Sequence, residues 1–238
     1  GELYDYLRER KDSTIFIHHD NLYLRNIAWG LNQISYGSED GLYINGHVTG
    51  NSPYLTFEWK AGKDGEHHEV KTQLIGEYNF ANALAAVTLG HFFDVESGKI
   101  DTALKEYTPQ NNRSQLKQTA DNTLIIDAYN ANPTSMQASI SNFHNMEIDN
   151  KMLILGDMRE LGKDGPKEHQ KIVDFLTECG FKDVMLVGEQ FAAARHDFPT
   201  YPDAPAVIEA LQKNKPHGKT ILIKGSNGIK LSTVIDYL

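Results

Sequence analysis

The second half of the chain alternates short apolar runs with longer stretches whose apolar residues recur at helical spacing. The apolar runs, rich in β-branched residues, predict buried strands at 123–126, 152–155, 184–187 and 220–223. The stretches between and after them predict helices at 133–146, 167–179, 204–213 and 231–238, with a short one near 191–195. This β-α-β-α order predicts a parallel, Rossmann-like sheet covered on both faces, with right-handed crossovers.

The first half of the chain has a different pattern. It begins with a charged stretch, 2–10, that predicts the exposed end of a helix, followed by a short strand at 13–18. Between 32 and 74, short alternating runs separated by Gly, Asn and Ser predict an antiparallel β meander. Helical spacing returns over 76–93 and 100–107. Together the two halves predict an α/β protein in which a mixed sheet precedes a parallel one.

A polar segment without periodicity, 110–114, separates these two patterns. We place the domain boundary there, which gives domains 1–112 and 113–238. Arg113 lies in this linker. A linker arginine is usually solvated, but between two domains that close over a phosphate it would bind that phosphate.

Each predicted strand of the second half ends in small or polar residues. These strand ends read DAYN at 127–130, GDMRELG at 156–162, GE at 188–189 and KGSN at 224–227. Because parallel strands place such ends on one edge of the sheet, where ligands bind, we predict a ligand site there. The alternative for the first of them is that Asp127, Asn130 and Asn132 only form a turn and a helix cap before Pro133.

Two amides begin the predicted helix at 76–93. Asn79 and Asn82 are three residues apart, so both project from the same side of its first turn. An amide offers donors and an acceptor, as recognition of an adenine edge requires. The alternative is that these residues are only an N-cap and a helix-start residue.

Composition excludes several classes of function. The 238 residues carry a formal net charge of −9, which argues against nucleic acid as the main partner. The lone Cys179 cannot form an internal disulfide, and no apolar run reaches the roughly 18 residues of a membrane helix. We therefore expect a soluble cytoplasmic protein without a membrane segment.

Two motif-like stretches do not qualify as sites. Gly218-Lys219-Thr220 precedes a strand and lacks the upstream glycine, so it is not a phosphate loop, and no G-x-G-x-x-G is present. Adjacent His18 and His19 would point to opposite faces of a strand, so we predict no metal site there.

Four motifs, in order and spacing, resemble the Mur ligase family. They are GEYNFANALAA at 76–86, DAYNANP at 127–133, LGDMRELG at 155–162 and KGS at 224–226. Together they span most of the chain. Within the family, the chain looks like the enzymes that join D-Ala-D-Ala to UDP-MurNAc-tripeptide.

The resemblance implies an ATP-dependent, cytoplasmic, monomeric ligase of peptidoglycan biosynthesis. Members have a UDP-substrate domain, a central ATPase domain and a Rossmann-like C-terminal domain, and use Mg²⁺ and ATP to form an acyl phosphate. It further implies that this chain begins inside the central domain, past the phosphate loop and the main Mg²⁺ ligands. By that reasoning the chain is inactive alone. The alternative is a non-catalytic nucleotide- or peptide-binding module with the same fold.

The resemblance also implies roles for individual residues. Asn79 and Asn82 would contact adenine, Asp127 the ribose hydroxyls, and Tyr129 would pack near the nucleoside. Arg113 would reach the ATP phosphates, and Asn130 would face the phosphates or the acceptor. Residues near the acceptor dipeptide would be Asn132, Asp157, Glu160, Lys224 and Ser226.

The chain departs from the family pattern at two positions. Tyr78 replaces the more usual His, and Asn227 replaces an Arg that usually follows the KGS motif. The second departure casts doubt on a cation from that loop for the carboxylate of the dipeptide.

Overall fold

The computed structural model of the protein describes residues 2–10, 12–110 and 112–238. The chain forms two compact units, residues 1–107 and residues 108–238. The predicted boundary at 112/113 lies slightly further along the chain. No helix in the described ranges combines the length and apolar character needed to cross a membrane.

Within residues 2–10 and 12–107, the first unit forms a five-stranded sheet and four helices. In chain order these are α1 Glu2–Arg8, β1 Thr14–His18, α2 Leu22–Ile27, β2 Asn32–Gly37, β3 Ile44–Asn51, β4 Tyr54–Ala61, β5 His68–Ile75, a 3-10 turn Glu77–Asn79, α3 Phe80–Phe92 and α4 Ser97–Glu106. The strand order is β1-β2-β3-β4-β5. Its core includes Phe57 and Trp59 of β4 with Leu84 and Val87 of α3, because alternate residues of β4 face the helix.

The predicted meander is correct for β3, β4 and β5, which pair antiparallel, but wrong for β2. Strand β2 pairs in parallel with β1 and with β3. The parallel pairing with β1 follows from α2, a six-residue helix between β1 and β2 that sequence periodicity did not detect and that allows β2 to run in the same direction as β1. The Asn21 side chain accepts a hydrogen bond from the Leu24 N–H and so begins this helix.

The second unit has the predicted alternation of strands and helices. Its elements are β6 Gln115–Gln118, β7 Thr123–Asp127, α5 Pro133–Asn145, β8 Lys151–Gly156, a 3-10 turn Gly162–Asp164, α6 Gly165–Glu178, β9 Val184–Val187, α7 Glu189–Ala193, β10 Thr200–Tyr201, α8 Ala204–Lys213, β11 Thr220–Lys224 and 3-10 segments Asn227–Ile229 and Leu231–Tyr237. The strand order is β10-β9-β8-β11-β7-β6. The parallel sheet is confirmed for β7 to β11, and only the edge strand β6 is antiparallel.

Two details of this unit differ from the sequence prediction. Strand β6 is partly exposed and polar at the sheet edge, so it carries no apolar run that would reveal it. The predicted last helix is a 3-10 segment, Leu231–Tyr237, that packs Leu231 and Val234 onto the core. Central strands β7, β8 and β11 are almost wholly buried, as expected for strands covered on both faces.

A buried amide links the C-terminus to the beginning of β7. Asn122 is 2% exposed, and its Nδ2 donates to the Pro216 carbonyl at 2.8 Å and the Leu238 carbonyl at 3.4 Å. Its Oδ1 accepts from the Lys219 N–H at 3.0 Å. This one side chain therefore joins three segments of the second unit.

We expect Asn122→Ala to lower the free energy of unfolding by about 2 to 3 kcal/mol, because it leaves buried backbone groups unpaired. Urea denaturation followed by far-UV circular dichroism measures this, since both tryptophans, Trp29 and Trp59, lie in the first unit. The exposed Asn214→Ala serves as the control and should change the free energy by less than about 0.5 kcal/mol. Equal effects of the two substitutions would contradict the role of Asn122.

Candidate functional site

The polar strand ends of the second unit meet at one edge of its sheet, as predicted. Strand β11 lies between β7 and β8. In the register of the sheet, Lys224 at the end of β11 pairs with Asp127 of β7 and with Leu155 of β8. Gly156 of β8 is level with Val187 of β9. The loops after these strands therefore adjoin one another.

A buried ion pair joins the ends of β11 and β7. The Nζ of Lys224 lies 2.5 Å from Oδ2 of Asp127, and the two side chains are 2% and 15% exposed. Lys224 also donates to the Asn130 carbonyl at 3.3 Å, and the Ser139 hydroxyl donates to the same Oδ2 at 3.3 Å. Lys224 and Ser139 both contact Oδ2 of Asp127, and neither of them contacts Oδ1. Lys224, which we predicted near an acceptor, thus lies against Asp127 and its turn.

The two asparagines of this turn also have local roles. Oδ1 of Asn132 accepts from the Ser135 N–H at 2.8 Å, and Ser135 Oγ accepts from the Asn132 N–H at 3.2 Å. This reciprocal pair is a capping box, so Asn132 is the N-cap we predicted. Oδ1 of Asn130 accepts from the Ala131 N–H at 2.9 Å. Asn130 and Asn132 therefore make the local turn and cap contacts that the alternative interpretation predicts.

The exposed side chains of Arg113, before β6, and Tyr129, in the turn after β7, are in contact. The Arg113 guanidinium carbon lies 3.7 Å from the centre of the Tyr129 ring, in a cation–π contact. Tyr129 is 46% exposed, and Arg113 is exposed as well. The Ala128 N–H donates to the Asn112 carbonyl at 2.9 Å, which holds the linker beside the turn. The structure thus brings Arg113 to the segment that contains Asp127.

The loop after β8 is held by buried polar contacts. The Asp157 carboxylate accepts from the Gln190 and Phe191 N–H groups, both at 3.0 Å, at the beginning of α7. Nε2 of the fully buried His169 accepts from the Met158 N–H at 3.0 Å, while its Nδ1 donates to the Gly165 carbonyl at 2.7 Å. Asp157 is therefore engaged inside the fold, and its acceptor role stays a prediction.

Ser226 connects this loop to the turn after β7. Its hydroxyl accepts from the Arg159 N–H at 2.8 Å and donates to the Ala131 carbonyl at 3.5 Å. Glu160 is exposed, with a φ of 70°, which is unusual for a residue other than glycine. A cleft of about 380 Å³ opens here, lined by the loop 157–162, the segment 188–190, Gly165, Pro202 and Ile229.

In the first unit, the two predicted amides lie side by side. Asn82 Nδ2 is 3.4 Å from Asn79 Oδ1, and Asn79 Nδ2 donates to the Ile75 carbonyl at 2.8 Å. Asn79 is the N-cap residue of α3, but it makes no side-chain cap hydrogen bond. The common side of the helix start is therefore confirmed for both amides.

The sequence prediction missed His169 and Arg159. His169 lies on the same helical face as Ile172, Val173 and Leu176, all buried, so its spacing would have indicated burial. Arg159 lies in an irregular loop, so its sequence has no periodicity from which its position could be predicted. Among the described residues, no three His, Cys, Asp or Glu side chains are placed to bind a metal ion.

Comparison with known proteins agrees with this fold. Residues 112–227 match the family model for the Mur ligase, glutamate ligase domain. The chain is 27% identical over 237 residues to the UDP-N-acetylmuramoyl-tripeptide–D-alanyl-D-alanine ligase of Synechocystis sp., covering 95% of this chain and 50% of that protein. The Escherichia coli ligase of that name is 29% identical over 204 residues. The match covers 83% of this chain and 44% of the Escherichia coli protein.

Residues 112–227 are therefore similar to the glutamate ligase domain of the Mur ligases.

Solved structures of the family have the same fold. MurF from Acinetobacter baumannii superposes with a TM-score of 0.80 at 23% identity, over 99% of this chain and 53% of that one. The MurF ligase of Thermotoga maritima, crystallised in complex with ADP, gives a TM-score of 0.78 at 17% identity, over 96% and 53%. The chain spans about half the length of the curated family members it matches.

Lys224→Met should lower the free energy of unfolding by about 3 kcal/mol, because it leaves the Asp127 carboxylate without its counter-charge. Adding Asp127→Asn to this variant should restore part of the loss. Lys219→Met is the matched control: Lys219 pairs with Asp183 at 2.8 Å, but the side chains are 30% and 42% exposed. Lys219→Met should lower the free energy of unfolding by less than about 1 kcal/mol, because exposed ion pairs contribute little. Equal losses for the two lysines in urea denaturation would contradict the buried pair.

Gly188→Ala should lower the free energy of unfolding by about 2 to 4 kcal/mol. Gly188 has a φ of 121°, and an added Cβ would lie 2.3 Å from the Asp157 Cγ. Gly180→Ala is the control, since Gly180 has a φ of 73° but no atom within 4 Å of its added Cβ. In the control, the free energy of unfolding should fall by only about 1 kcal/mol, because alanine at this positive φ is strained. If both variants lose the same amount, the close approach of Asp157 is not the cause.

Proposed function

We propose that this chain supplies the nucleoside and acceptor sites of an ATP-dependent amide ligase of peptidoglycan synthesis. The reaction would join D-Ala-D-Ala to UDP-MurNAc-tripeptide, the activity in the names of its relatives. The observation that carries the proposal is the Lys224–Asp127 pair, which holds a carboxylate at the ligand-binding edge of a parallel sheet. The ADP complex of the Thermotoga maritima MurF ligase supports a nucleotide as the ligand.

The nucleoside would be recognised by groups that each have a defined chemistry. The amides of Asn79 and Asn82 would pair with the adenine edge. Oδ1 of Asp127, which neither Lys224 nor Ser139 uses, would accept hydrogen bonds from the ribose hydroxyls. Tyr129 would pack against the nucleoside, and the Arg113 guanidinium, now over that ring, would turn to the phosphates.

The reaction would proceed in two displacements. A carboxylate oxygen of the tripeptide attacks the γ-phosphorus of ATP, and ADP leaves. The amine of D-Ala-D-Ala then attacks the acyl carbon, loses a proton, and inorganic phosphate leaves as the amide forms. Mg²⁺ in such reactions neutralises charge on the phosphate oxygens. Arg113, with Asn130 near the transferred group, would stabilise charge from this chain.

Within this proposal, Lys224 has a different role from the one predicted from sequence. Its Nζ contacts Asp127 and the Asn130 carbonyl, so it would position the nucleoside-binding turn instead of contacting the acceptor. Asn132 and Asp157 would likewise act by holding the α5 cap and the loop after β8. Glu160 and Ser226 remain our candidates beside the acceptor.

These 238 residues contain no G-x-x-x-x-G-K-[ST] sequence. We propose that ligation needs such a loop from elsewhere in the gene product, and that the 238-residue chain alone releases no phosphate from ATP in the presence of both substrates. A colorimetric phosphate assay measures this. Phosphate release that depends on both substrates would contradict the requirement. A gene without that motif upstream would favour the binding-module alternative.

Asn82→Ala should raise the KM for ATP about 5- to 10-fold in the complete gene product and reduce its preference for ATP over GTP, because one adenine-edge hydrogen bond is lost. The KM for D-Ala-D-Ala should not change. The assay follows ADP or GDP release under saturating tripeptide, with the exposed Asn214→Ala as the control. An unchanged ATP-to-GTP ratio would contradict adenine recognition by Asn82.

A further inference from the structure

Arg159 is an exposed cation in the loop after β8. It lines the cleft of about 380 Å³ together with Glu160 and Glu189. Among the ranges 2–10, 12–110 and 112–238, no carboxylate lies within ion-pair distance of its guanidinium. An unpaired arginine at the wall of a cleft is suited to bind an anionic group.

The backbone of Arg159 is fixed by its neighbours. Its N–H donates to Ser226 Oγ at 2.8 Å, and the preceding Met158 N–H donates to the buried His169 at 3.0 Å. The Asp157 carboxylate binds two N–H groups at the beginning of α7. Three consecutive residues are thus anchored, so the Arg159 side chain extends from a rigid base, as a preorganised binding group requires.

The Arg159 guanidinium lies against the turn that follows β11. A Cβ added to Gly228 would be 2.5 Å from its Nη1 and 3.0 Å from its Cζ. The absence of a side chain at 228 therefore makes room for the guanidinium.

We propose that Arg159 binds the carboxylate of the acceptor dipeptide. This inference rests on the proposed function. A guanidinium can bind a planar carboxylate through two parallel hydrogen bonds. The charges of the cleft favour a dipeptide over a phosphate, because Glu160 and Glu189 would repel a dianion but would attract the ammonium end of a zwitterion. The cleft volume of about 380 Å³ also suits a small ligand.

The test compares two acceptors, D-Ala-D-Ala and its C-terminal amide, D-Ala-D-Ala-NH₂, in the complete gene product. For Arg159→Gln we expect the KM for D-Ala-D-Ala to rise about 10- to 100-fold, because a charge-assisted pair is lost. The KM for the amide and the KM for ATP should stay unchanged. The substitution keeps the backbone hydrogen bond to Ser226, and far-UV circular dichroism checks the fold.

Two further variants separate geometry from charge. Gly228→Ala keeps the arginine but displaces its guanidinium, so it should raise the KM for D-Ala-D-Ala by an intermediate factor and leave the amide unaffected. Lys167→Ala removes an exposed positive charge from α6 outside the cleft, and should change neither KM.

The outcomes distinguish the inference from the proposal beneath it. A wild-type protein without ligase activity would contradict the proposed function and this inference together. An active wild type with Arg159→Gln that raises both acceptor KM values equally, or neither, would contradict the carboxylate contact alone. Selective loss of the free dipeptide in both Arg159→Gln and Gly228→Ala would support it.

Discussion

The ion pair between Lys224 and Asp127 is the interaction on which the candidate site depends. Its partners are 97 residues apart in the chain, and Lys224 is 2% exposed, so each charge needs the other inside the fold. Removing ions from water is costly, and close pairing with further hydrogen bonds offsets that cost. Here the Asn130 carbonyl and the Ser139 hydroxyl provide those bonds. The pair therefore fixes both the carboxylate and the turn that follows it.

Buried polar contacts extend this arrangement across the sheet edge. Ser226 joins the turn after β7 to the loop after β8, and Asp157 joins that loop to the beginning of α7. The buried His169 holds the same loop by accepting a hydrogen bond from the Met158 N–H. Each loop is thus held by a side chain from another element. Loops held in this way keep Asp127, Arg159 and Glu160 at defined places on a surface where ligands can bind.

Much of the architecture followed from periodicity. Strand β9 and helix α8 have the predicted bounds, and Asn132 is the N-cap that turn chemistry indicated. The errors lie where local signals are weak: the six-residue α2, which makes β2 parallel, and the polar edge strand β6. Such elements are set by pairing with neighbouring strands, and pairing leaves little trace in a short or polar segment.

The amino-acid sequence by itself determined the fold class, the four polar strand ends and the residue types available for chemistry. Burial on both faces requires continuous apolar runs, and these can be recognised without a structure. Only the tertiary structure decided which polar groups meet. Because β11 inserts between β7 and β8, Lys224 lies against Asp127, and the loop after β8 brings Arg159 against Gly228. Strand order brings together residues that are distant in the chain, and the apolar run of one strand does not specify which strand lies beside it.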